Sequence, residues 1–341
     1  MMKVRELGEF GLIGRIAGFL PSPPEDVLVG IGDDVAVLRT SDSEVLLATC
    51  DAQVENVHFI RDRIEPYQLG RKTVAINVSD IAAMGGTPAW ALVSLALPVD
   101  LDVGFVDGLY AGMQEQMALA GAAIVGGNLS RTRNELVIDL CLLGRAKPSH
   151  ILLRKGAREG DLILVTGSLG DSRAGLEIVL RPELGISEGS RRVLVERHLT
   201  PQPRLAEGQG LARCGMVHAM VDVSDGLVAD IGHICDASGV GAEIHEAELP
   251  ISAACREAAL AAGGEAAHWA LHGGEDYELL FTAAPGDVAE IQRTLEGETG
   301  MSCSAVGRIV AGLPEVRIVG AGGEKTAAGS GPGGWDHFAG S

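Results

Sequence analysis

The sequence predicts an α/β protein with some α+β character, divided into two domains. Its 341 residues are too many for one ordinary hydrophobic core, so about two domains are expected. Hydrophobic residues make up 46% of the chain, which is ample for a packed interior, whereas aromatic residues make up only 4%. Segments typical of strands and of helices alternate in both halves, which is the pattern of sheets covered by helices.

The N-terminal half begins with a helical segment and then alternates strands and helices. Apolar residues at helical spacing predict helices over 5–20, 66–84 and 102–120. The second of these ends at Gly85-Gly86, a plausible helix terminus. Runs of apolar and β-branched residues predict strands over 44–51, 90–98, 122–128 and 135–146.

A polar stretch, KPSHILLRKGAREGD, predicts a domain boundary near 147–157. We therefore expect an N-terminal domain over 1–147 and a C-terminal domain over 148–341. Helical spacing predicts a helix over 225–238, with Gly239 as its C′ residue. In the same half, apolar runs predict strands over 161–167, before the turn at 222–227, and over 277–283, 303–310 and 315–319.

Charge and composition exclude several classes of partner. The formal net charge is −19, so the chain repels nucleic acid and anionic membranes in the absence of a strong basic patch. The first 20 residues carry charges throughout, and no apolar run approaches the length of a membrane span, so neither a signal peptide nor a span is expected. Six cysteines lie far apart, which favours reduced thiols in a cytoplasmic protein.

Acidic residues recur at Gly turns and at the ends of predicted elements. They are Asp33-Asp34, Asp51, Asp80, Asp222 with Asp225, and Glu275-Asp276. Carboxylates brought together at one edge of a fold repel one another unless cations neutralise them. Oxygen ligands of this kind suit Mg²⁺. Each acid also has a plain structural alternative, since an Asp at a helix start, such as Asp225, is often only an N-cap.

Phosphate-binding signatures are weak in this sequence. The P-loop pattern and the kinase catalytic loop are missing from it. Residues 165–176 combine a strand, a Gly turn and a helix start, which predicts either an anion site or an ordinary loop. His58 and His272 have motif-like surroundings, but a lone histidine is more often a hydrogen-bonding group than a catalyst. A phosphate site with many acids and few basic side chains must depend on metal ions.

Seven motifs together resemble the thiamine-monophosphate kinase family, which belongs to the aminoimidazole ribonucleotide synthetase superfamily. They occur in the family's order between residues 30 and 338, and they are GIGDDVAVL, DAQVENVHF, AINVSDIAAMGGTPAW, GGNLSR, VDVSDGLVADIGHICDASG, GGEDYELLFT and GWDHF. The resemblance implies an N-terminal domain whose sheet pairs in a homodimer, and a C-terminal α/β domain that completes the site. It also implies the transfer of phosphate from ATP to thiamine monophosphate.

The resemblance further implies roles for individual residues. Mg²⁺ ligands would be Asp33, Asp34, Thr49, Asp51, Asp80, Asp222 and Asp225. ATP would contact Ser224, Arg154 and the Gly126-Gly127 turn with Asn128, and thiamine monophosphate would contact His58, Glu275 and Trp335. Asn128 stands where the family often has Asp, so one metal site is expected to be weaker. Cys50 stands where a hydroxyl residue is usual, so its side chain is not counted as a ligand.

The implied chemistry agrees with the acidic composition of the motifs. A phosphomonoester has a second pKa near ~6, so the attacking phosphate is already largely ionised and needs no general base. Several Mg²⁺ ions would neutralise the two phosphates and align them for in-line transfer. Two alternatives remain: another ATP-dependent enzyme of the superfamily with a different acceptor, or a non-catalytic protein that binds nucleotide or thiamine phosphate.

Overall fold

The computed structural model describes residues 2–320 and 322–328, and it contains two mixed β-sheets with helices packed against them. The first sheet lies within residues 27–146 and the second within residues 162–327. The predicted α/β architecture is therefore confirmed, and both sheets contain parallel and antiparallel pairs of strands. Four short 3₁₀ helices complete the connections, at Val4–Glu6, Arg61–Arg63, Pro148–His150 and Glu246–Glu248.

The first sheet has six strands. Its strands are β1 (Val27–Val29), β2 (Ala36–Arg39), β3 (Val45–Val54), β4 (Thr87–Pro98), β5 (Ala123–Thr132) and β6 (Val137–Ala146). The helices of this half are α1 (Gly8–Ala17), α2 (Pro66–Ala83) and α3 (Val103–Leu119), and α2 and α3 contact the sheet. The strand order is β1-β2-β3-β6-β4-β5, so β5 lies at one edge, where it pairs with β4 in parallel.

The second sheet has seven strands. They are β7 (Leu162–Thr166), β8 (Val217–Asp222), β9 (Gly241–His245), β10 (Leu279–Ala283), β11 (Cys303–Val310), β12 (Val316–Val319) and β13 (Lys325–Ala327). Their order is β13-β12-β9-β11-β7-β10-β8. The helices of this half are α4 (Asp171–Leu180), α5 (Glu188–Leu199), α6 (Leu205–Cys214), α7 (Leu227–Ser238), α8 (Ala253–Ala262), α9 (Ala266–His272) and α10 (Val288–Thr299).

Helix α2 packs against both halves of the chain. It contacts β3 of the first sheet, and it also contacts α6 and β8 of the second half. The apolar face predicted for it is fully buried, at Leu69, Val74, Val78 and Ile81. Its polar residues are buried as well, including Lys72 at 1% exposure. A helix buried on nearly all sides carries its polar side chains into the interior, and Asp80 in its last turn is one of them.

Glycine allows α2 and α3 to approach closely. A Cβ built on Gly70 of α2 would lie 2.0 Å from the carbonyl oxygen of Leu109 in α3. A real methyl group cannot occupy that space, so the two helices could not pack as they do with any larger residue at this position. The tight packing fixes α2 on the sheet and with it the direction in which Asp80 points.

Most predicted elements are confirmed, and several boundaries differ. The strand expected to end at Asp51 continues to Val54, because its pairing with β6 continues to Val137, so Asp51 lies inside the strand. Helix α7 begins at Leu227 rather than 225, while Gly239 is left-handed at φ +69°, as predicted for a C′ residue. The short strands β1, β2, β9 and β13 were not predicted. Strands of three to five residues are too short to show a recognisable alternation of apolar and polar residues.

Two further observations concern the cysteines and the length of the apolar helices. All six cysteines are free thiols. Among the described residues, none of the helices has both the length and the apolar character required of a membrane span.

Candidate functional site

Four carboxylates from both halves of the chain share one buried region. They belong to Asp34 before β2, Asp51 in β3, Asp80 in α2 and Asp222 at the end of β8. Burial raises the pKa of Asp80 well above its ordinary value, and the charges of Asp51, Asp222 and Asp34 raise it further. Burial likewise raises the pKa of Asp222 to about 8, with Asp34 adding to the shift. The acids predicted to converge are therefore close enough to repel one another.

Hydroxyl groups hold two of these carboxylates in place. Thr49 in β3 donates its hydroxyl to Asp80 Oδ2 at 2.5 Å. Ser79 in α2 donates its hydroxyl to Asp222 Oδ2, also at 2.5 Å. Successive residues of α2 thus reach both sheets, because Asp80 bonds to β3 while Ser79 bonds to β8. This pair of bonds fixes the spacing between carboxylates that come from different halves of the chain.

Arg154 joins the Asp33-Asp34 turn to the second half. Its guanidinium donates to Asp34 Oδ1 from Nε at 3.0 Å and from a terminal nitrogen at 2.5 Å. Its backbone N–H donates to the Asp33 carboxylate, and each oxygen lies 3.3 Å away. Burial raises the pKa of Asp33 to about 6, and the neighbouring Asp34 contributes to that shift.

One oxygen of this group has no hydrogen bond. Asp34 Oδ2 is buried and lacks a hydrogen-bond partner among the described residues. Buried polar atoms are normally paired, so an orphan oxygen beside three further carboxylates fits a bound cation. The ligands offered here are all oxygen atoms, which is the donor set that Mg²⁺ prefers.

Asp225 lies at the turn between β8 and α7 rather than at a helix cap. The residue at the N-cap of α7 is Gly226, so the N-cap alternative for Asp225 is wrong. Asp230 of α7 accepts the backbone N–H groups of Asp225 and Gly226 at 3.3 and 3.0 Å. The neighbouring Ser224 accepts the N–H of Glu275 through its carbonyl oxygen at 2.8 Å.

Glu275 lies in a buried polar network. Its Oε1 is 2.7 Å from Lys72 Nζ, and its Oε2 is 3.4 Å from His198 Nδ1. Burial would raise the pKa of Glu275, but the positive charge of Lys72 outweighs it and lowers the pKa. Burial lowers the pKa of His198 to about 3, so this imidazole is neutral at pH 7. Glu275 itself has a φ of +66°, an uncommon conformation for a non-glycine residue.

The possible anion site at 165–176 is occupied by a side chain of the protein. Asp276 accepts the backbone N–H groups of Gly170 and Ser172, at 2.6 and 3.0 Å, at the beginning of α4. These N–H groups are the ones that would have bound a phosphate. The ordinary-loop alternative is therefore correct. Burial raises the pKa of Asp276 to about 8, although the two backbone N–H bonds act in the opposite direction.

His58 lines a small cavity beside Lys72 and His198. The cavity has a volume of about 200 Å³ and lies between the loop at 56–64, α2, α4 and α5. The backbone N–H of Val54 donates to His58 Nδ1 at 3.0 Å. Nδ1 is therefore the acceptor, and in the neutral ring the proton is on Nε2. This contact orients the imidazole at the wall of the cavity.

Gly126, Gly127 and Asn128 lie away from the acids of the same chain. The predicted turn at Gly126-Gly127 is wrong, because both glycines are inside β5. Strand register places Gly127, Val93, Leu140 and Asp51 in one row across four strands. Three strand spacings separate Gly127 from Asp51 by about 14 Å. Asn128 is one residue further on, so its side chain points to the face opposite that of Asp51.

Several residues of this region were not predicted from the sequence. Asp230 is 1% exposed, and its only signal in the sequence is an acid between two apolar residues of α7. Lys72 and His198 gave no pattern that indicated a buried network with Glu275. Ser79 precedes Asp80 in the motif, but its bond to Asp222 depends on a contact between the two halves. Trp335, predicted to bind substrate, lies outside the described residues.

Comparison with known proteins identifies relatives over nearly the whole length. Family models described as AIR synthase related protein match at residues 32–146 for the N-terminal domain and 158–319 for the C-terminal domain. The thiamine-monophosphate kinase of Aquifex aeolicus is 40% identical over 303 residues, covering 87% of this chain and 94% of the relative. That of Escherichia coli K12 is 37% identical over 333 residues, covering 97% and 98%.

Solved structures agree with these sequence matches. A structure described as AaThiL complexed with AMPPCP and TMP superposes with a TM-score of 0.85 at 37% identity, covering 99% of both chains. The hydrogenase maturation protein HypE of E. coli has a TM-score of 0.68 at 23% identity, covering 84% of this chain and 86% of HypE. The second likeness concerns the fold alone.

We expect the charge repulsion within the acid cluster to destabilise the protein in the absence of divalent cations. A carboxyl whose pKa is raised in the folded state favours folding when protonated, so stability falls as pH rises from about 4 towards 8. At pH 8 without divalent cations, Asp80→Asn should raise the melting temperature by about 2–4 °C. Added Mg²⁺ should then raise it less in the variant than in the wild type.

The matched control is Asp107→Asn, which removes an exposed acid from α3. Differential scanning calorimetry at pH 5 and pH 8, with and without Mg²⁺, measures all three proteins. An Asp80→Asn protein that melts at the wild-type temperature at pH 8 would contradict the repulsion argument.

Proposed function

Because the chain belongs to the thiamine-monophosphate kinases, within the wider AIR synthase related family, we propose that its buried carboxylates hold the Mg²⁺ ions of a phosphoryl transfer. The chain is a kinase that uses ATP to phosphorylate thiamine monophosphate, giving thiamine diphosphate and ADP. The residue roles, the metal ions and the oligomeric state that follow are our proposals.

The convergence of Asp34, Asp51, Asp80 and Asp222 is the observation that carries the proposal. These residues come from widely separated parts of the sequence, yet each lies close enough to raise the pKa of another. Such repulsion is costly in an interior without a cation. The unpaired oxygen of Asp34 fits the same conclusion.

We assign the metal ligands residue by residue. They are Asp33, Asp34, Thr49, Asp51, Asp80, Asp222 and Asp225. Bound Mg²⁺ would supply charge neutralisation and alignment of the two phosphate groups. Thr49 fits this set because its hydroxyl donates to Asp80 and still has lone pairs for a ligand. Asp34 fits because only one of its two oxygens is held by Arg154.

The phosphates of ATP would need a positive charge from the protein, whereas the phosphate of the acceptor needs no general base. Arg154 supplies a guanidinium next to the acid cluster, where it would meet the phosphates of ATP beside Ser224. The acceptor phosphate is largely dianionic at neutral pH, so the protein need not remove a proton from it. The task of the side chains is therefore to bind, orient and screen two anions.

The heterocyclic end of thiamine monophosphate would lie in the 200 Å³ cavity. His58 lines this cavity, with its Nδ1 held by the backbone N–H of Val54. Glu275 would place negative charge near a cationic thiazolium, and its contact with Lys72 holds it beside the cavity that Lys72 lines. We retain Trp335 as a proposed substrate contact from the family resemblance.

A homodimer would complete the nucleotide site. Gly126, Gly127 and Asn128, which we assign to ATP, lie on edge strand β5, about 14 Å from Asp51 by strand spacing. An edge strand of ten residues with unpaired backbone groups readily adds a second strand. Leu129 on this strand is 70% exposed, which supports an apolar contact with a second copy.

We also propose a domain division between residues 147 and 148 and a cytoplasmic location. The last strand of the first sheet ends at Ala146, and the first strand of the second sheet begins at Leu162. This gap in the sequence supports the division. Six free thiols support a reducing compartment.

The direct test is release of ADP by the purified chain with Mg²⁺–ATP and thiamine monophosphate, with thiamine as the control acceptor. We expect ADP and thiamine diphosphate in equal amounts, and no ADP with thiamine. Asp34→Asn should lower turnover by about a hundredfold or more while the fold is retained, because charge stabilisation by metal is the main catalytic contribution. Nucleotide binding without turnover would favour the non-catalytic alternative, and turnover with another acceptor would favour a different superfamily enzyme.

The substrate cavity is tested by His58→Ala. Loss of one hydrogen bond should raise KM for thiamine monophosphate about tenfold, equivalent to roughly 1.4 kcal/mol, while KM for ATP stays within about twofold. His268→Ala, which changes an exposed histidine of α9, is the control. Equal increases in both KM values would argue against a specific contact with the acceptor.

The dimer is tested by Leu129→Asp. A charge on the exposed edge should convert a dimer to monomers in sedimentation velocity, since charged residues on edge strands oppose pairing. Monomeric wild-type protein at micromolar concentration would rule out the proposed assembly.

A further inference from the structure

A lysine of α2 is buried almost completely. Lys72 is 1% exposed, and it is among the largest fully buried side chains of the described residues. Lysine is almost never buried in this way unless its charge is paired. Its partner is Glu275, with 2.7 Å between Lys72 Nζ and Glu275 Oε1, and no other ion pair of Lys72 occurs among the described residues. The buried charge of this lysine is therefore balanced by Glu275.

The carboxylate of Glu275 is more accessible than the lysine that it contacts. Its side chain is 27% exposed, against 1% for that of Lys72. Lys72 contacts Oε1, whereas Oε2 lies 3.4 Å from Nδ1 of His198. Burial lowers the pKa of His198 to about 3, so the imidazole is neutral at pH 7. One oxygen of the carboxylate thus contacts a cation, and the other contacts a neutral ring.

The partners of Glu275 form part of the wall of the 200 Å³ cavity. Lys72 and His198 both line it, and Glu275 contacts both of them. His198 Nδ1 also lies 3.1 Å from the hydroxyl oxygen of Ser172. These residues come from α2, α4 and α5, so three helices hold the carboxylate beside the cavity.

The backbone at Glu275 has an unusual conformation. Its φ of +66° lies in the left-handed region that favours glycine. The N–H of Glu275 donates to the carbonyl oxygen of Ser224 at 2.8 Å, which holds this turn. Such conformations cost energy and persist where the surrounding structure holds them, often at ligand sites. The strained backbone therefore fits a carboxylate that is placed to meet a ligand.

We propose that Lys72 is a positioning residue for the acceptor, which keeps Glu275 ionised and directs its second oxygen at the positively charged ring of thiamine monophosphate. Without Lys72, burial would dominate and raise the pKa of Glu275, so the carboxyl group would take up a proton more readily. A protonated Glu275 has no charge with which to select a cationic ring. The inference rests on the proposed function, because it takes the cavity and Glu275 as the acceptor site.

Two substitutions and their combination test the role of Lys72. Lys72→Met should raise KM for thiamine monophosphate about tenfold, while kcat and KM for ATP change by less than about threefold, because the acid cluster is unchanged. Glu275→Gln should raise the same KM to a similar extent. The double variant should also show an increase of about tenfold rather than about a hundredfold, because Lys72 acts only through Glu275.

Isothermal titration calorimetry without ATP gives a second readout. Wild-type protein should bind thiamine monophosphate about tenfold more tightly than an analogue in which a neutral ring of the same shape replaces the thiazolium. Lys72→Met and Glu275→Gln should each bind the two compounds about equally. A loss of packing alone would weaken the binding of both compounds and keep the preference, which would overturn the proposal.

The matched control is Lys325→Met, because Lys325 also pairs with a glutamate, Glu243, between β13 and β9. This variant should keep the wild-type KM and the preference for the cationic ring. A wild-type KM in Lys72→Met, or a hundredfold increase in the double variant, overturns the proposal.

Poor folding of Lys72→Met does not prevent the test. The double variant leaves neither charge buried, and it is then compared with Glu275→Gln. Weaker binding of thiamine monophosphate by the double variant than by Glu275→Gln overturns the proposal. Wild-type turnover together with any of the contrary results leaves the proposed function standing, whereas failure of that function would appear as wild-type protein without turnover.

Discussion

Mutual repulsion among buried carboxylates is the constraint around which the two halves of this protein are arranged. Asp34 and Asp51 come from the first half, Asp222 comes from the second, and Asp80 lies on the helix between them. Asp34, Asp51 and Asp222 raise the pKa of Asp80, and Asp34 also raises that of Asp222. The energy of each carboxylate therefore depends on where the others lie. The fold holds together charges that would separate if the halves were free to move apart.

Specific polar contacts oppose that separation. Ser79 and Asp80 on α2 bond to opposite sheets, and Arg154 ties the Asp33-Asp34 turn to the second half through both its side chain and its backbone. The surrounding apolar packing of α2 supplies the rigidity that these contacts need. Stability and function therefore compete within one region, because the packing that defines the site also buries carboxylates that repel one another.

The architecture and the acidic residues of the site could be predicted from the sequence, but the contacts between distant elements could not. Helical periodicity located α2, α3 and α7 to within two residues, and Asp80 was correctly expected late in a helix. The interior position of Asp51 was missed, because strand length depends on a partner strand that sequence periodicity does not reveal. The Gly126-Gly127 pair was read as a turn, although a parallel neighbour keeps it extended. Asp230, and the Lys72–Glu275–His198 network, became visible only when both halves were assembled, since no local pattern distinguishes a buried ion pair from a solvated charge.

The carboxyl group of Asp276 at the beginning of α4 has a consequence for where phosphate groups can bind. An enzyme that binds two phosphorylated molecules works best without other sites at which a phosphate group could bind non-productively. Free N–H groups at the beginning of a helix are such a place, and here the carboxyl group of Asp276 accepts two of them. Incoming phosphates therefore do not find these N–H groups free, because the chain has filled this binding position for itself.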